Sequence, residues 1–300
     1  MQKTCSQSYP SAAMHLSVEV KGEGFPILCL HGHPGHSSSM SVFTQHLSQH
    51  FQTLAPDLRG YGNSRTRSDF PMSAHIRDLE ALLERWEIHR CLLLGWSLGG
   101  ILALELALRN PQRFSGLILV ATAARPRGSH PPISWQNLLY TGIAGTLNWL
   151  KPGWQWNIDT FGKRSLFRYL LQQHSLAAYQ HIASEGTPAY LQTSRAAHKA
   201  LKQALKAGYN RLQDLPSLQS PCLVLAGAED RHITSESSWE TAQSLQYCQW
   251  QHYPNTAHLF PWEIPTQMLK DIDRWLEAHP EVVENWKEAR RGQVRSEEES

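Results

Sequence analysis

Residues 91–100 read CLLLGWSLGG: an unbroken apolar run ends in Ser97, which has a glycine two positions before it and another two positions after. The residues beyond, Gly99–Arg109, are apolar nearly all round, the pattern of a buried helix. A strand entering a helix through so small a turn strains the central backbone. Glycines on both sides let strand and helix come close enough for the turn to exist. The serine hydroxyl is thereby lifted clear of the sheet, at a helix N-terminus that favours developing negative charge. A nucleophile elbow has this form, and it requires a sheet behind it.

The rest of the chain supplies one. Short apolar runs recur as Pro26–Gly32 (PILCLHG), QTLAPDLRG, Gly116–Thr122 (GLILVAT) and Pro221–Asp230 (PCLVLAGAED). His15–Val20 alternates as a strand, and Cys248–Pro254 is a weaker strand pattern. Between them, Met72–Ile88 places Ile76, Leu79, Leu82, Leu83 and Trp86 on one helical face, and Pro261–His279 is also amphipathic. Unbroken apolar strands alternating with helices imply parallel pairing with right-handed crossovers. The fold class expected is α/β: a mostly parallel sheet flanked by helices, with an inserted helical cap.

That cap is expected over 125–212, where no strand pattern appears and four tryptophans occur, Trp135, Trp149, Trp154 and Trp156. Packing within the cap is the expected role for most of them. The flanking core is expected over 1–124 and 213–279, with a charged C-terminal tail over 280–300.

A serine hydroxyl needs a base near neutral pH. Sixteen histidines are available, so position must choose. Asp230 ends the Pro221–Asp230 run and His258 lies in NTAHLF after the next strand, both at carboxyl ends, where parallel sheets gather their sites. The order Ser97, Asp230, His258 is the one this elbow uses, with Asp230 orienting the imidazole. Oxyanion donors are expected at the backbone N–H groups of Leu98 and of His33, in LHGHPG. Trp96 and Leu259, beside the nucleophile and the base, are candidates for substrate contact. His31 reads as a core histidine that props its loop, and Asp57 as a residue tying down its own turn.

HGHPG, DLRGYGNS, GWSLGG, AGAED and NTAH, in this order, resemble the α/β-hydrolase superfamily over roughly 14–279. The resemblance implies a serine hydrolase needing no cofactor, with Ser97, Asp230 and His258 as its triad. No metal is expected, because the clustered His31, His33 and His36 have no matching carboxylate or cysteine set. HGxPG is frequent among epoxide hydrolases and haloalkane dehalogenases, whose nucleophile is aspartate; serine at 97 disfavours alkyl-enzyme chemistry. GWSLGG is similar to the elbow of esterases acting on pimeloyl-carrier methyl esters. The expected substrate is a small carboxylic ester or thioester. C–C or amide hydrolysis, and a triad-bearing receptor with negligible turnover, stay open as alternatives.

Charge is unevenly spread. The 125–212 segment holds eleven basic residues against two acidic ones, a net charge of +9, whereas the whole chain carries only +2. Arg195, Lys199, Lys202 and Lys206 fall on one helical stripe, with Leu191, His198, Leu201 and Leu205 on another. An acidic acyl carrier, an anionic lipid surface or a carboxylate substrate would each answer such a field. No nucleic-acid motif accompanies the basic residues. The five cysteines, without a C-x-x-C pair, and the lack of a long apolar run point to a cytoplasmic protein without a transmembrane segment. A monomer or weak dimer is expected.

Overall fold

In the computed structural model, which describes residues 12–283, the apolar runs become neighbouring strands. These are β1 (Val18–Lys21), β2 (Pro26–Leu30), β3 (Gln52–Pro56), β4 (Cys91–Trp96), β5 (Phe114–Val120), β6 (Cys222–Gly227) and β7 (Cys248–Tyr253). They form one sheet in the order β1-β3-β2-β4-β5-β6-β7, with only β1 antiparallel. β4, β5 and β6 are buried at every position, because helices cover both faces. The winding reverses between β2 and β4, so the loops leaving these two strands open a crevice at the carboxyl edge.

Four helices precede the long insertion or lie within its first half: α1 (Ser41–Leu47), α2 (Ser73–Arg85), α3 (Leu98–Arg109) and α4 (Trp135–Leu150). α5 (Gln155–Thr160), α6 (Leu176–His181), α7 (Thr187–Leu191) and α8 (Arg195–Lys206) complete the insertion between β5 and β6. α9 (Ser235–Ser244), α10 (Phe260–Glu263) and α11 (Pro265–Ala278) return to the sheet. Two apolar clusters, one on each face of the sheet, make the core. Cys29, Cys91 and Cys222 are buried free thiols within it. Among the described residues, no helix is long and apolar enough to cross a membrane.

Several expectations are corrected. Trp86 follows the last turn of α2 and is 42% exposed, not part of its buried face. Trp135, Trp149 and Trp156 are also exposed rather than packed within the insert. α8 buries Ala196, Ala197 and Ala200, small residues that let this helix approach its neighbours closely. Of the expected stripe, Leu201 packs half-buried against the core and His198 meets His33, whereas Leu205, and Leu191 at the end of α7, face solvent. Residues 280–283 do not belong to a solvated tail. Val282 and Val283 are fully buried, and Ser115 Oγ donates to the Val282 carbonyl at 2.6 Å. The remainder of the expected tail, 284–300, lies outside the described residues.

The charge division is partly answered inside the molecule. Arg125 and Arg127 both reach Glu240, and Arg211 reaches Glu105 and Asp214. Lys199 pairs with Asp69, and Lys163 with Asp159 one turn away.

Candidate active site

Ser97 sits between the end of β4 and the start of α3 with φ 54° and ψ −114°, a left-handed-side conformation that a non-glycine residue adopts only under constraint. Its N–H donates to the Val120 carbonyl (2.9 Å), and its carbonyl accepts from Thr122 Oγ1 (2.7 Å), which fixes the turn from the neighbouring strand. The flanking glycines are needed for space. A Cβ on Gly99 would fall on the Leu30 carbonyl, and one on Gly95 on the Gly99 carbonyl.

Ser97, Asp230 and His258 are each buried, with 3–4% of their surface exposed. Ser97 Oγ lies 3.1 Å from His258 Nε2, and His258 Nδ1 lies 2.7 Å from Asp230 Oδ2. The other carboxylate oxygen accepts the backbone N–H groups of His232 (2.7 Å) and Ile233 (3.0 Å). A carboxylate so held accepts from Nδ1–H and leaves Nε2 free to take the serine proton. The three side chains come from loops after β4, β6 and β7, at one edge of the sheet.

The loop after β2 lies beside them. His31 Nδ1 donates to the Gly32 carbonyl (2.8 Å) and Nε2 accepts from the Leu58 N–H (3.1 Å), so this ring props the loop. Burial pushes its pKa down to about 4, which keeps it neutral in that role. His33 Nδ1 hydrogen-bonds Tyr61 Oη (2.7 Å), and its ring meets His198 of the insert edge-on at 4.6 Å. Burial, with lesser contributions from His198, His232 and His31, pushes the His33 pKa down to about 3. Leu98 opens α3 directly after the nucleophile. Asp57 ties its turn as expected, accepting from the Ser37 and Asn63 N–H groups. Among the described residues, no group of three His, Cys, Asp or Glu side chains is placed to hold a metal ion.

Trp96 is buried. Its ring packs edge-on against Trp262 (4.7 Å) and tilts over His258 (5.9 Å). Leu259 is buried as well, and its N–H donates to the Leu170 carbonyl of the insert (2.8 Å). A separate cleft of about 550 Å³ opens between the 60–67 loop and the start of α8. None of Ser97, Asp230 and His258 lines it, so it takes no part in the chemistry argued below.

Two neighbours of the site escape a reading of the sequence. His232 meets the His258 ring at 4.7 Å and stacks on His130 of the insert; its only signal is its place two residues after Asp230. Glu263 accepts from the Gln172 N–H of the insert (2.7 Å) and from the Ala257 N–H (3.3 Å), next to His258. Burial raises its pKa to about 7. A lone glutamate in a short helix carries no sequence signal for this.

Residues 26–265 match the sequence profile of the alpha/beta hydrolase fold. The chain is 37% identical over 112 residues to a pimeloyl-[acyl-carrier protein] methyl ester esterase of Aeromonas salmonicida, covering 37% of this chain and 42% of that protein. The matched stretch is thus under half the length of that curated relative. In three dimensions it resembles a thermophilic esterase from Thermogutta terrifontis, with TM-score 0.62 and 25% identity over 88% of this chain and 93% of the other. It also resembles the enol-lactonase from Burkholderia xenovorans LB400, with TM-score 0.68 and 20% identity over 87% of this chain and 96% of the other.

Proposed function

Because the chain belongs to the alpha/beta hydrolase fold family, we propose that it is a serine hydrolase cleaving small carboxylic esters or thioesters through an acyl-enzyme. The observation that carries this reading is the hydrogen-bonded line Ser97 Oγ, His258 Nε2, His258 Nδ1, Asp230 Oδ2. The esterase names of the A. salmonicida and T. terrifontis proteins support the ester as the bond attacked.

Ser97 Oγ attacks the acyl carbon while its proton passes to His258 Nε2, and Asp230 stabilises the imidazolium. The oxyanion forms against the backbone N–H groups of Leu98 and His33, at the N-terminus of α3. As the bond to the leaving group breaks, His258 returns the proton to that group. Water then attacks the acyl-Ser97 carbonyl, losing a proton to His258, and the acid departs as Ser97 regains its hydrogen. Trp96 and Leu259 bound the space beside these groups. The 125–212 insert acts as a cap: Leu170 and Gln172 bond to the segment around His258, His130 lies on His232 and His198 on His33.

The test is labelling with a fluorophosphonate probe, followed by turnover of p-nitrophenyl esters of graded acyl length. The wild type is expected to label and turn over repeatedly, and Ser97→Ala to do neither. Equal labelling of wild type and Ser97→Ala would discard the mechanism.

A further inference from the structure

Among the described residues, fourteen large apolar side chains are left exposed and eleven of them lie in the insert, so the exposure is local rather than scattered. Five of the eleven belong to one helix, α4. At 100° per residue, Trp135, Leu138, Leu139, Trp149 and Leu150 share one arc of about 120°. All five are more than half exposed, from 51% to 71%. The only buried residues of this 16-residue helix are Ala144 and Asn148, on the opposite side.

Hydrogen bonds from distant parts of the insert hold that orientation. Asn148 Nδ2 donates to the Tyr179 carbonyl (2.7 Å), and its Oδ1 accepts from the Gly153 N–H (2.9 Å). Thr141 Oγ1 accepts from the Leu166 N–H (2.9 Å), and Asn157 Nδ2 donates to the Ala144 carbonyl (3.0 Å). Turning α4 to bury its leucines would strip these bonds from buried polar groups, which costs more than an ordinary hydrogen bond contributes. The helix keeps its polar side inward and its apolar side in water.

The surroundings of this face are basic. Lys151 caps its C-terminal end, with its ammonium 5.0 Å above the Trp154 ring. Near the other end, Arg168 donates to Asn137 Oδ1. Arg164 is exposed on the adjoining 3-10 turn, Gly162–Arg164. Two acidic residues occupy the whole insert, and one of them, Asp159, is paired with Lys163. A second copy laid on this face would set cations against cations with no carboxylate to answer them. Residues 1–11 (MQKTCSQSYPS) and 284–300 (ENWKEARRGQVRSEEES) are largely polar and form no apolar stretch that could cover it. An anionic bilayer supplies both complements: acyl chains for the leucines and headgroup charge for Lys151, Arg164 and Arg168. Indoles such as Trp135 and Trp149 favour that boundary.

We propose that the outward face of α4 docks the protein in-plane on an anionic lipid surface, about 24 Å of helix lying in the interface.

The experiment is cosedimentation of the full chain, without substrate, with vesicles of phosphatidylglycerol and phosphatidylcholine or of phosphatidylcholine alone. Because no reaction is read, the outcome is independent of the proposed chemistry. The wild type is expected to pellet with the anionic vesicles, and less at high salt. Leu138→Gln with Leu139→Gln and Trp149→Gln should weaken partitioning about tenfold for each side chain removed. Lys151→Glu with Arg164→Glu should weaken it about fivefold or more for each charge. Size exclusion and thermal melts accompany each variant. The proposal is overturned if the wild type stays in the supernatant with both vesicle types, or if neither variant set lowers binding. It is equally overturned if the wild type is a dimer that the apolar variant makes monomeric, which would assign the face to a second copy.

Discussion

His258 Nδ1 stands 2.7 Å from Asp230 Oδ2, while Asp230 Oδ1 is already occupied by the N–H groups of His232 and Ile233. The carboxylate is fixed by the backbone on one side, so only its other oxygen is presented to the imidazole. In Asp230→Asn the amide oxygen would keep the two backbone bonds and turn its NH2 towards Nδ1. That selects the tautomer with a proton on Nε2, which cannot accept from Ser97. We expect kcat for a p-nitrophenyl ester to fall about 10⁴-fold with little change in KM. A loss below tenfold would mean that Asp230 does not set the tautomer.

The elbow predicts opposite outcomes for two glycines. In Gly99→Ala the new methyl group meets the Leu30 carbonyl, so strand β2 and helix α3 must part. We expect a loss of about 2 kcal/mol or more from this overpacking, and reduced turnover as Ser97 shifts. At Gly142, in α4, a Cβ meets nothing within 4 Å. Gly142→Ala should stabilise by about 0.5–1 kcal/mol through helix propensity. Urea unfolding midpoints of the two variants check both signs.

This contrast also marks what the sequence makes legible. The elbow is written locally: an apolar strand, Gly95, Ser97, Gly99 and a buried helix lie within about twenty residues. The three side chains of the candidate site were recoverable because strand ends in a parallel sheet share an edge. The orientation of α4 was not, since its apolar stripe is a normal core signature. Only the distant partners of Thr141 and Asn148, near Leu166 and Tyr179, show that the stripe faces out. The stripe expected along α8 was half legible. Leu201 packs half-buried against the core and His198 meets His33, but Leu205, and Leu191 at the end of α7, are exposed, and close packing chose the alanines. Glu263 was silent because its partners are backbone N–H groups, which no side-chain pattern encodes.

Arg59, in the DLRGYG run, forms a buried two-bond pair with Asp78 of α2, Nε to Oδ2 at 2.7 Å and Nη2 to Oδ1 at 2.5 Å. Asp78 is fully buried, and it also accepts from the Met14 N–H. Asp78→Ala would leave a guanidinium without its counter-charge. We expect a loss of about 3–5 kcal/mol, read as a lower denaturant midpoint with an unchanged m-value. A loss under 1 kcal/mol would show that Arg59 finds water or another partner.

His75, in α2, is fully buried and packs edge-on to Phe70. Desolvation first, then His31, Arg59 and His33, pushes its pKa from 6.5 down to about 3. The unfolded chain therefore binds a proton below pH 6.5 that the native state refuses until about pH 3. Stability falls as pH drops through that window, by about 1.4 kcal/mol per pH unit for one such group. His75→Phe should flatten the fall between pH 6 and 4, relative to wild type (about one proton less in the slope). Parallel slopes for the two proteins would exclude His75 as a source of acid lability.

Glu263 has the opposite sign. Its carboxylate joins the insert, through the Gln172 N–H, to the segment carrying His258, through the Ala257 N–H. These bonds favour the charged form, yet desolvation outweighs them and raises the pKa from 4.5 to about 7. Between those values the native state holds a proton that the unfolded chain has released, so this group loses stabilising effect as pH rises and has lost it all above about pH 7. Glu263→Gln cannot ionise and keeps one carbonyl oxygen for one of the two N–H groups. The difference in melting temperature, variant minus wild type, should therefore grow more positive from pH 4.5 to 7 and then level off. A difference that stays constant across that range would mean that Glu263 is ionised throughout, and that its link between insert and histidine segment is a permanent ion-to-backbone contact.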